Sequence, residues 1–92
     1  MGDWPFADKP NTASFTTRQV LEGAPVLRVT HDADDGSWQF LCGTTDDTAD
    51  ARIVGLGQMY ARDATLGELA DLPEGWQAWR ASQGLPWSRS PA

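Results

Sequence analysis

The sequence predicts an α+β domain: a small antiparallel sheet built on a central hairpin over residues 26–42, with two or three short helices packed on one face. Three observations lead there. Val26 to His31 alternates in polarity as a half-buried strand does, and Trp38 to Cys42 answers it across Asp34-Asp35-Gly36, a sequence that tolerates the positive φ of a hairpin loop. Leu66, Leu69 and Ala70 recur at helical spacing between the capping residues Asp63 or Thr65 and the breakers Pro73 and Gly75. Five tryptophans and three phenylalanines in 92 residues supply the large apolar surfaces that a single small core needs.

The remaining elements follow in chain order. Residues 1–12 read as an irregular arm, pinned to the body by Trp4 and Phe6 and interrupted by Pro5 and Pro10. The domain proper spans 13–81. Ala13 to Thr17 has the content of a short strand, and the Thr17 hydroxyl can cap a helical turn over Arg18 to Leu21 that Gly23 and Pro25 stop. Thr44 to Ala51 is polar, acidic and aperiodic, hence a surface loop. Arg52 to Leu56 predicts a strand that leads into a helix over Gln58 to Arg62. Trp76 to Arg80 alternates as a last strand does, with a helical turn as the alternative. Residues 82–92, with Gly84, Pro86 and Pro91, are expected to fray as a flexible tail unless Trp87 docks.

Charge bounds the partners. Thirteen acidic against seven basic residues give a net charge of −6, which repels phosphate backbones and anionic lipid surfaces, so nucleic acid and membranes are not expected. No stretch approaches the roughly 18 apolar residues of a membrane helix, and the expected address is the cytoplasm. The single cysteine, Cys42, excludes an internal disulfide. Oligomeric state is not legible.

No motif points to catalysis, a metal or a cofactor. His31-Asp32-Ala33-Asp34-Asp35-Gly36 has clustered carboxylates before a glycine, but counted from Asp32 the glycine falls at position five, not six, and no glutamate closes the loop. Gly55-Leu56-Gly57 lacks the lysine and further glycine of a phosphate-binding loop, and reads as a bend. His31 and Cys42 sit on neighbouring strands, so a cysteine nucleophile with a histidine base makes a small enzyme the third functional reading. No third member is nominated. Trp76 and Trp79 give a second reading, a regulatory domain with a small-ligand cleft lined by tryptophan. The first reading uses Asp32, Asp34, Asp35, Asp46, Asp47 and Asp50, which fall in the hairpin turn and the following loop. Brought together, they form a negative patch that steers a basic protein partner.

Three segments together resemble a family of small bacterial domains of unknown function that is also counted among predicted immunity proteins of polymorphic toxin systems. They are Thr17-Arg18-Gln19-Val20-Leu21-Glu22-Gly23, Trp38-Gln39-Phe40-Leu41-Cys42-Gly43, and Leu66 through Leu69 to Leu72-Pro73-Glu74-Gly75. Asp63 fits the acidic residue that opens the family's leucine helix, while Ala64 stands where a proline is common. The resemblance spans residues 14 to 80. It implies a single α+β domain that neutralises a toxin by binding it, with no active site to carry over.

Overall fold

The computed structural model describes residues 4–43 and 48–92. Among the described residues six strands form one open mixed sheet: β1 (Ala13–Thr17), β2 (Arg28–His31), β3 (Trp38–Leu41), β4 (Ala51–Gly55), β5 (Trp76–Trp79) and β6 (Ser88–Pro91), in the order β4-β1-β3-β2-β5-β6. Helix α1 (Arg18–Leu21) follows β1, α2 (Leu56–Arg62) follows β4, and 3-10 helices cover Thr48–Asp50 and Ala64–Leu69.

The predicted hairpin pairs antiparallel with Val29 opposite Phe40 and His31 opposite Trp38. Gly36 sits at φ 73, the conformation that disfavours any side chain at this turn. Thr17 caps α1 by accepting the Val20 N–H at 3.4 Å. Asp63 caps the Ala64–Leu69 segment by accepting the Thr65 N–H at 3.0 Å.

Two expectations change. The sheet is not purely antiparallel, because β1 lies parallel to β3 with Phe15 beside Gln39. The chain leaves β1 through α1 and places β2 one position beyond β3, so β1 and β3 run in the same direction with β2 returning between them in sequence. The C-terminal segment does not hang free: β6 pairs with β5, Trp76 opposite Pro91 and Trp79 opposite Ser88. Trp87 provides the anchor. Its ring packs against the core, and the Arg80 guanidinium lies 4.0 Å from the ring centroid, a favourable cation-π contact.

Register explains the layering. Trp38, Phe40, Val29 and Ala78 point to one face, where they meet Phe6 of the N-terminal arm, Val20 of α1, Leu56 and Met59 of α2, and Leu66, Leu69 and Leu72. All these side chains are buried in one cluster. The arm is held by aromatic contacts of Trp4 and Phe6 with Tyr60 and of Phe6 with Trp38. The Trp38 indole N–H donates to the Asp8 carboxylate at 2.8 Å. On the β1 side of this face the small polar residues Ser14 and Thr16 are buried without loss, since their hydroxyls donate to the carbonyls of Val54 and Phe40.

A charged group also lies inside. Arg80 and Asp63 meet at 2.8 Å with side chains 1% and 9% exposed. Arg80 further donates to the Val26 carbonyl and to the Thr65 hydroxyl, and Gln83 donates to Asp63. Burial by itself pushes the Asp63 carboxyl up, but the hydroxyl and amide of Thr65 and the Arg80 guanidinium together outweigh it and hold the carboxyl below its ordinary 3.8. In the unfolded chain Asp63 takes its proton near 3.8; in the folded chain it does so only at lower pH. Between those points the unfolded state binds more protons, so this contribution to stability is complete above 3.8 and lost as pH falls through the folded value. Urea titrations from pH 6 to pH 2 are expected to show a steeper acid loss in the wild type than in Asp63→Asn, with equal slopes refuting the assignment.

Candidate functional site: the uncovered face of the sheet

Successive pairings place Ile53, Phe15, Gln39, Thr30, Gln77 and Ser90 in one transverse row across all six strands. A second row on the same face holds Ala51, Thr17, Leu41, Arg28, Trp79 and Ser88. Helices α1 and α2, the Ala64–Leu69 helix and the N-terminal arm contribute to the cluster on the opposite face. A sheet with antiparallel strands tolerates one wet face, and Gln39, Thr30, Gln77, Ser88 and Ser90 are ordinary there. Its apolar members are not. Ile53 is 68% exposed and Trp79 42%, and Phe15 and Leu41 are only partly covered.

Phe15, Gln39 and Leu41 floor an open groove of about 480 Å³ along β1 and β3. Asp32, Asp35 and Ser37 of the hairpin turn close one end, and Thr48 and Ala51 the other. Asp32 is held over the groove by the Gln39 side-chain amide, which donates to it at 2.8 Å. Asp35 accepts the Ser37 N–H at 2.9 Å, and the Ser37 hydroxyl and amide hold its carboxyl below the ordinary range. No cation lines the groove among the described residues. Arg28 lies next to Leu41 but turns towards β5, donating to Gln77 Oε1 at 3.0 Å.

Both edges of the sheet are blunted while the face is open. The Leu56 N–H donates to the Thr12 carbonyl at 2.8 Å, so alternation turns the main-chain groups of Ala51, Ile53 and Gly55 outward from β1. Arg52 covers the Ala51 carbonyl at 2.8 Å and Gln58 the Gly55 N–H at 2.9 Å, on either side of Ile53. On β6 the Ala92 N–H reaches the Gly75 carbonyl at 2.7 Å, which places Arg89 and Pro91 on the outer edge, and proline has no N–H to offer.

The residues singled out from sequence scatter. Asp32, Asp34 and Asp35 share the hairpin turn, whereas Asp50 lies at the far end of β1, beside Thr17, where it accepts from Gln19 at 2.9 Å and pairs with Arg18. Asp46 and Asp47 fall outside the described residues. One continuous patch therefore does not form from the described carboxylates. Trp76 and Trp79 point to opposite faces of β5, Trp76 onto the core and Trp79 into the open, so they do not line one cleft. Residues three apart share a side on a helix but not on a strand.

His31 and Cys42 do not converge. His31 faces Trp38 and Cys42 lies four residues further along, about 13 Å at strand rise. The imidazole stacks on Trp38 with centroids 3.9 Å apart, and its Nδ1–H donates to the Leu72 carbonyl at 2.7 Å. Cys42 is buried 4.0 Å from the Thr17 hydroxyl. Among the described residues no three His, Cys, Asp or Glu side chains gather to hold a metal ion, and no described helix is long and apolar enough to cross a membrane. On the helix side, a notch of about 210 Å³ beside Val26 and Met59 contains Asp63 and Gln83, whose polar atoms already bond to each other and to Arg80.

The residues that sequence reading missed are Phe15, Leu41 and Ile53. Phe15 and Ile53 lie on strands that were expected, and their alternation already separated them from Thr16 and Val54, but which side would be covered depends on the strand order. Among the described residues these features define an open α+β sheet with one covered and one uncovered face. Compared with known protein families, curated proteins and solved structures, the chain matches none.

Proposed function

We propose that this chain is a non-catalytic protein-binding domain that takes a basic partner on the uncovered face of its sheet. In this reading it works in the bacterial cytoplasm, and its partner is a toxin that it neutralises as an immunity protein does. The observation that carries the reading is the exposure of Ile53 and Trp79 on the sheet face opposite the core cluster. Contiguous exposed apolar side chains rimmed by polar ones mark interaction surfaces, and the partly covered Phe15 and Leu41 lie between Ile53 and Trp79 on this face. The net charge of −6 selects a partner of opposite sign and speeds encounter with it. The resemblance of the Trp38 to Gly43 strand and the Leu66 to Gly75 segment to predicted immunity proteins supports the toxin as that partner.

The test compares faces. The immobilised wild type is expected to capture a basic protein from the host that Ile53→Asp and Trp79→Ser both lose, while Glu22→Gln on the helix side retains it. Raising the salt to 0.5 M should weaken the capture, since screening shortens the reach of surface charge to a few ångströms. Equal capture by the face variants would refute the assignment of the surface. Stability of Ile53→Asp is expected to stay within about 0.5 kcal/mol of the wild type, as for surface positions generally.

A further inference from the structure

We infer that the groove over β1 and β3 is a cradle for an extended basic segment of the partner, seating a lysine or arginine side chain between Asp32 and Asp35. Apolar side chains two and four residues from that cation then cover Phe15 and Leu41. The inference rests on the protein-binding reading and names what the face recognises.

The spacing comes from the register. Ser37, beside the two carboxylates, Gln39, beside Phe15, and Leu41 are successive alternate residues on the path of β3. From Ser37 to Leu41 is four residues, about 13 Å at strand rise, and an extended ligand presents its residues i, i+2 and i+4 to one side at the same pitch. The signature is therefore a basic residue followed or preceded by alternate apolar ones. Charge chooses the ligand's sign, because the lining holds two carboxylates and no cation among the described residues. Both carboxylates are oriented before any ligand arrives, Asp32 by Gln39 and Asp35 by the Ser37 amide, so little ordering remains to be done on binding. The blunted edges direct such a segment onto the face rather than into the ladder as a seventh strand. A second copy of the chain is disfavoured as the occupant, since each copy carries −6.

Two acetylated, amidated peptides test this on the isotope-labelled chain by nuclear magnetic resonance: Arg-Thr-Val-Thr-Val and Glu-Thr-Val-Thr-Val. The arginine peptide is expected to shift the amides of Phe15, Asp35, Gln39 and Leu41, and to bind about tenfold more tightly than the glutamate peptide. Asp32→Asn and Asp35→Asn should each reduce that preference about threefold to fivefold, in line with an exposed charge pair. Equal affinity of the two peptides, shifts centred on the β4 edge or the helix side, or no binding of either, would each overturn the inference. The peptide contrast uses the unaltered chain, so it decides even where a variant folds poorly. If the arginine peptide fails while Ile53→Asp still abolishes capture of the partner, the groove is wrong and the protein-binding reading stands. If the face variants also capture normally, both fall.

Discussion

Exchanging Arg80 for methionine is expected to destabilise the domain by about 3–5 kcal/mol, because it strands a buried carboxylate. The guanidinium connects parts of the chain that no regular element joins. It bonds Asp63 and Thr65 at the start of the Ala64–Leu69 helix, the Val26 carbonyl before β2, and the face of Trp87 before β6. Methionine keeps much of the stem and removes all of those bonds. A domain of this size has about 5–10 kcal/mol in total, so the loss removes between about a third and all of its stability. Urea unfolding of Arg80→Met, Asp63→Leu and the double variant measures the coupling. The double variant is expected to cost less than the sum of the two single ones, since an apolar pair leaves no buried charge behind. A single variant costing under about 1 kcal/mol would refute the assigned role.

Replacing Trp38 by alanine is the second large effect, at about 3–5 kcal/mol for an aromatic side chain removed from a core. Trp38 is 2% exposed, stacks on His31 and Phe40, meets Phe6 edge-on, and donates to Asp8. Its loss should release the N-terminal arm before the sheet melts. Amide exchange of residues 4–9 is therefore expected to quicken more than that of β2 in a milder variant, Trp38→Phe, which keeps most of the packing and loses the bond to Asp8. Uniform protection in Trp38→Phe would show that the arm is held by Trp4 and Phe6 alone. The contrast with Trp79 is functional as well as energetic. Both are strand tryptophans, yet truncating Trp79, which is 42% exposed and lies outside the core cluster, should cost less than truncating Trp38.

Much of the local structure was legible because its causes are local. The hairpin over residues 26–42 follows from polarity alternation on either side of Asp34-Asp35-Gly36, and Gly36 does adopt positive φ. Thr17 and Asp63 cap the segments that their hydroxyl and carboxylate mark. The Ala64–Leu69 segment is a 3-10 helix that ends at the Ala70 cap, before the expected breaker Pro73. The candidate site was legible only in part. Asp32 and Asp35 line the groove, whereas Asp50, their neighbour in the acidic stretch of the sequence, lies at the other end of the strands. Trp76 and Trp79 were paired on a spacing that serves a helix and separates them on a strand.

By itself, then, the chain determined where its hairpin turns, which residues cap two of its helices, and which side chains alternate, since those depend on φ preferences, caps and residues a few positions apart. Tertiary structure alone decided that β1 joins β3 in parallel, that the last residues form β6, and that Arg80 finds Asp63. Those outcomes depend on contacts between distant residues, chosen by how the whole apolar set can be buried at once. Burying Trp38, Phe40 and Val29 under the helices commits their strand neighbours Gln39, Leu41 and Arg28 to the opposite face. The uncovered surface is thus a consequence of strand order, which no short stretch of sequence contains.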